Sequence, residues 1–116
     1  MHLFSRQSKP LADHFYYSVF NADPLCPMSV SLATSPEGEV KEAWHYHTQT
    51  QKIFLTIDGE GVLMVEGREI RMHVGELIHV EPGEKHAVVR VTKGPMRYAV
   101  VRSQNIDDKV TLEVSA

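Results

Sequence analysis

Short runs of alternating apolar and polar residues, each closed by a turn signal, recur along this chain and constrain its fold more than any other feature. Side chains of a strand point alternately to its two faces, so such a run can bury one face and leave the other in water. Residues 14–20 are dense in aromatic and β-branched side chains, and Asn21-Ala22-Asp23-Pro24 then turns the chain. Met28–Thr34 alternates apolar with small polar residues, and Ser35-Pro36-Glu37-Gly38 turns it again. Ile53–Ile57 and Gly61–Val65 flank Asp58-Gly59, a strong hairpin signal. Beyond the turn at 66–68, Glu69–Val74 separates Ile70, Met72 and Val74 from Glu69, Arg71 and His73. Glu76–Val80, His86–Val91, Met96–Arg102 and Val110–Val114 complete the series, with turns at Glu81-Pro82-Gly83 and Lys93-Gly94-Pro95. No segment has a helical period. About ten short strands at this spacing predict an all-β sandwich or barrel.

A chain of 116 residues predicts one domain, here read as a polar arm over 1–13 followed by a domain over 14–116. A net charge of −3 leaves no basic footprint for nucleic acid and no polybasic membrane signal. No apolar run approaches the length of a membrane span, and Arg6, Lys9 and Asp13 interrupt any signal-peptide core. The single cysteine, Cys26, reads as a small hydrophobe beside Pro24 and Pro27; it excludes an intrachain disulfide framework and suits a reducing compartment. A cytoplasmic protein is the expectation.

Chemistry concentrates in Trp44–Phe54. His45 and His47 are one residue apart, so on a strand they share a face, close enough to hold one divalent ion. Trp44 and Tyr46 then face away and pack. Downstream of the Pro82-Gly83 turn stands His86, and a closed barrel would bring it to the pair.

These residues resemble the cupin superfamily. Its first motif runs glycine, spacer, His-x-His, three or four residues, glutamate, six residues, glycine; His45-Tyr46-His47 and Gly59 fit it. Its second motif asks for the spacing on which Gly75, Gly83 and His86 fall. Gly38, Glu81, Pro82 and Arg90 depart from the pattern, and Lys52 stands in the glutamate position at the four-residue spacing, with Gln51 at the three-residue one. The resemblance implies a cupin-type β-barrel, a double-stranded β-helix or jelly roll. It also implies a metal site of His45, His47 and His86, with Gln51 as a weaker fourth ligand and Lys52 turned away or meeting an acidic substrate group.

Three neutral imidazoles suit a divalent transition metal, namely Zn, Ni, Cu, Fe or Mn, and loss of the carboxylate favours the borderline ions over Mn and Fe. The expected function is a metal-dependent enzyme, dioxygenase-like or isomerase-like, on a small oxygenated molecule. The alternatives are a non-catalytic barrel binding a sugar or organic acid, and a metal-free barrel in which Lys52 supplies the positive charge for an anionic ligand. His79 and Lys52 are the candidate catalytic groups for proton transfer. His79 is expected either in the cavity or at the surface, and His73 on a solvated face. Phe54 shares the side of Lys52 and is read as core, while Arg90 and Arg102 are read as surface charge. A homodimer is expected, with no nucleic-acid or membrane partner.

Overall fold

The computed structural model describes residues 28–104 and 106–113 and the backbone of Phe15–Ser18. The arm expected over 1–13, the turn at 21–24, Cys26 and Val114 of the expected final strand lie outside the described residues. Nine strands are described: β1 (Phe15–Ser18), β2 (Ser29–Ser35), β3 (Gly38–Glu39), β4 (His45–His47), β5 (Lys52–Val65), β6 (Arg68–Met72), β7 (Leu77–Val80), β8 (His86–Arg102) and β9 (Lys109–Thr111). Every pairing between them is antiparallel. The described residues contain no helix.

Two long strands organise the sheet. β5 and β8 pair from Lys52↔Arg102 through to Val65↔His86, with register shifts between Thr56 and Leu63. The first half of β5 is flanked on its other side by β7, the second half by β6. β8 carries β2 along one half and β3 and β4 along the other. The resulting fold is an all-β jelly roll, a double-stranded β-helix.

Two expected turns lie inside these strands. Asp58-Gly59 does not make a hairpin, because pairing with β8 carries β5 through it; Asp58 faces Arg97 and Glu60 faces Lys93. Lys93-Gly94-Pro95 likewise lies within β8, and Gly38 belongs to β3 rather than to a turn. Gly59 has φ 74°, and a Cβ there would stand 2.5 Å from the Lys93 carbonyl oxygen. Glycine therefore allows the two strands to bend together. The tight hairpin lies instead at Glu66-Gly67, both with positive φ, between Val65 and Arg68. β6 ends at Met72, so Val74 is exposed rather than aligned with Ile70 and Met72.

The core packs Leu63, Met72, Val88 and Met96, with Phe54, Val65, Val80 and Tyr98 around them. Along β2 the buried face is the polar one: Ser29, Ser31, Ala33 and Ser35 point in, and Val30 and Leu32 are only half-buried. That inverted face lies beside the cluster described next.

Candidate functional site: three imidazoles around a lysine

His45 and His47 point inward from β4, with Tyr46 half-buried between them. His86 opens β8 and is the cross-strand partner of His45. The turn before it is tied to β4 by the Gly83 N–H, which donates to the His47 carbonyl at 2.8 Å. The His45 and His86 ring centroids are 4.4 Å apart, and His47 stands 5.4 and 6.0 Å from them. One ligand nitrogen from each ring lies within 4.8 Å of the others.

Each ring is oriented through Nδ1. His45 Nδ1 donates to the Ala43 carbonyl at 2.7 Å, His86 Nδ1 to the Glu84 carbonyl at 2.9 Å, and His47 Nδ1 to Asp108 Oδ1 at 3.0 Å. A carbonyl or carboxylate oxygen can only accept, so the ring proton sits on Nδ1 and each Nε2 presents a lone pair to the centre. Lys52 fills that centre. Its Nζ donates to His86 Nε2 at 3.1 Å and to His45 Nε2 at 3.3 Å, over the Phe54 ring. Its residue is only 8% exposed.

Burial, and then the Lys52 charge, push His45 and His86 down to about 3 and lower His47, so all three rings are neutral near pH 7. Burial brings Lys52 down to about 8 against the attraction of Glu42, so it is still largely protonated near neutrality. An ammonium offered to neutral lone pairs is consistent on both sides.

A family model described as a cupin domain matches residues 31–102. The chain belongs to the cupin family. Among solved structures, a cupin protein from Bacteroides fragilis superposes with a TM-score of 0.71 at 18% identity, covering 90% of this chain and 86% of that one. Pac13, a nucleoside dehydratase from Streptomyces, gives 0.70 at 15% identity, covering 97% and 91%. A sugar phosphate isomerase of the cupin superfamily from Silicibacter pomeroyi gives 0.62 at 23% identity, covering 75% of this chain and 57% of that one. At such identities the likeness is one of fold. No curated protein matches the chain by sequence.

In this cupin the glutamate position holds an inward-facing lysine, which corrects the expectation that Lys52 turns away. Gln51, its neighbour on the chain, is exposed, and its Oε1 accepts from His79 Nε2 at 2.6 Å. His79 is exposed too, so neither is brought to the imidazoles. His73 is half-buried beside Glu60, at 3.5 Å. Arg90 clamps Glu69 at the surface through two hydrogen bonds. Arg102, read from the sequence as surface charge, is half-buried and donates to Ser29 Oγ at 3.0 Å.

The imidazoles are of the right kind to hold a transition ion, and His47 Nε2 is a buried acceptor with no partner among the described residues. Two nitrogens on one ion at ~2.1 Å stand no more than ~4.2 Å apart, so the ion would take the space beside the Lys52 ammonium. Ammonium and dication repel at that range. With Lys52 in place, the donor set and an ion do not fit together.

Sequence reasoning missed Asp108. Lying 61 residues beyond His47, it accepts from the Gln49 and Thr50 N–H groups at 2.8 Å, from Thr50 Oγ1 and from His47. Burial works to raise its pKa, but these hydrogen bonds outweigh burial and hold the carboxyl well below the usual carboxylate range. It fixes both the His47 ring and the turn leading into β5. No motif spacing announces it; only the pairing of β9 with β4 brings it there.

Proposed function

We propose that this cupin binds a small oxygenated molecule bearing an acidic group at the imidazole–lysine cluster, and that Lys52 supplies the positive charge and the transferable proton. One observation carries the reading: the Lys52 ammonium is held by His45 and His86 at the centre the three rings share. Two of its three N–H donors are spent on imidazoles, which leaves the third for a ligand oxygen. A lysine near 8 exchanges protons readily around neutral pH, and His79, exposed on its pair with Gln51, is the weaker of the two catalytic candidates. Proton transfer at a bound oxygen or its neighbouring carbon is isomerase-like or dehydratase-like chemistry. Barrels of this fold that are a sugar phosphate isomerase and a nucleoside dehydratase support that class.

A metal-bound form is the second reading, favoured by the unpartnered His47 Nε2. It requires Lys52 to withdraw from His45 and His86, with His45, His47 and His86 as the ligands. Metal analysis of protein made without a histidine tag separates the two. Wild type is expected to carry well under one equivalent of metal, and Lys52→Glu to gain it. Stoichiometric metal in wild type that His47→Ala removes would overturn the lysine reading. Cytoplasmic location and a homodimer belong to the proposal as well. The dimer is supported by apolar side chains on the outer face, half-buried Leu32, Ile53 and Leu55 and exposed Ile57 and Leu77.

A further inference from the structure

A row of four residues crosses the sheet where the cluster is built. Ser29 of β2 faces Arg102 of β8, Arg102 faces Lys52 of β5, and Lys52 faces Val80 of β7. Directly opposed residues share a face of a sheet. Ser29, Lys52 and Val80 are all buried, so this face is the inner one, and Arg102 reaches along it to Ser29 Oγ. Two cations thus stand side by side inside the barrel.

Like charges directly opposed repel, and the attraction of Glu42 for Lys52 and of Asp108 and Asp107 for Arg102 relieves this only from beyond contact distance. Among the described residues, neither Lys52 nor Arg102 has a carboxylate within 4.0 Å, whereas Arg71 and Arg90 each have one. Asp108, whose charge acts on both cations, spends its oxygens on His47, Gln49 and Thr50. Ser29 is wholly buried and Ser31, also buried, is the next inward residue along β2, so hydroxyls border Arg102 on the β2 side while Val80 and Phe54 flank Lys52. Two neighbouring cations with no carboxylate in ion-pair reach among the described residues can take an anion from outside.

We propose that Lys52 and Arg102 form a two-point oxyanion site, the guanidinium and the ammonium together taking the carboxylate or phosphate of the small molecule bound in the barrel. The inference rests on the lysine reading above and adds Arg102 to it as the group that selects an anionic ligand. Guanidinium donors match the two oxygens of either group, and the free N–H of Lys52 closes on the same charge.

The test is an NMR titration of tag-free protein in chloride-free buffer at pH 7, with glycolate, malonate, inorganic phosphate and, as a neutral control, glycerol. At least one oxyanion is expected to saturate wild type with shifts at Ser29, Lys52 and Arg102, and glycerol to leave them unmoved. The carboxylate and phosphate arms name the group preferred. Arg102→Gln is expected to raise Kd about tenfold or more, and Arg102→Lys to recover part of that loss. Ligand-free spectra that overlay wild type show that the variants fold. Unchanged oxyanion affinity in Arg102→Gln, with affinity lost in Lys52→Met, would remove Arg102 and leave the lysine reading standing. No saturation of wild type by any oxyanion, or equal response to glycerol, would overturn the site. Stoichiometric metal in wild type would instead sink the reading beneath it.

Discussion

The two halves of β5 bury their inner faces for different ends. Around Leu63 the interior is hydrocarbon: Leu63, Met72 and Val88 have no measurable exposure and neither carry nor need a polar partner. Around Lys52 the same strand, paired with the same β8, buries an ammonium and a row of hydroxyls, and that ammonium reaches across to His45 and to His86, which itself stands opposite Val65. Burying a charge costs free energy that hydrocarbon burial does not, and only hydrogen bonds offset it. The Leu63 half therefore supplies stability, and the Lys52 half draws on it to hold groups in an environment water would not allow. The depressed Lys52 and imidazole values are the electrostatic mark of that division.

Four changes break or sharpen this contrast. The largest effect is expected from Leu63→Ala, which removes a fully buried side chain and leaves a cavity, costing ~2–5 kcal/mol in denaturant unfolding. A loss below ~1 kcal/mol would mean that the Leu63 half is not the stabilising one.

Next comes Lys52, through pH. Its folded value is about 8 against an ordinary 10.5, so between those pH values the unfolded chain binds the extra proton. Wild-type stability relative to Lys52→Met should then rise with pH across that window, by on the order of 2–3 kcal/mol. Urea midpoints of both proteins from pH 7 to 10.5 check the sign; a flat or falling difference would mean that the ammonium is not buried as described. The imidazoles give the acid counterpart. Their folded values lie below 6.5, so stability is lost as pH falls from 6.5 toward 3, and His86→Gln should lessen the loss.

The smallest effect is expected from Asp108→Asn, which leaves one acceptor oxygen where two served His47, Gln49 and Thr50, and should cost ~1–3 kcal/mol. Its specific mark is the His47 tautomer: ring nitrogen shifts should report loss of the fixed Nδ1 proton, while His45 and His86 keep theirs. An unchanged His47 signal would show that Asp108 holds only the turn.

Much of the fold could be read from residue order, because strand alternation and turn chemistry are local. From Ser29 onward most strand residues follow from residue order, although β5 and β8 each run through an expected turn and β3 is not expected, and the shared face of His45 and His47 follows from period two alone. The Asp58-Gly59 hairpin failed for a non-local reason: twelve cross-strand partners from β8 outweigh the preference of a dipeptide. The polarity of β2 failed similarly, since alternation says that the serines share a face but not which face the barrel encloses. Phe54 does share the side of Lys52 in the core, yet the intervening irregular residues 48–51 hide the relation of that side to the imidazoles.

What residue order determined by itself is the all-β pattern, the paired histidines and the replacement of glutamate by lysine. Where that lysine's charge ends, which carboxylate steadies His47 and which arginine stands beside the cluster were decided by strands meeting across long stretches of chain. Side-chain periodicity operates within a strand, whereas a buried charge is placed by every strand that closes around it.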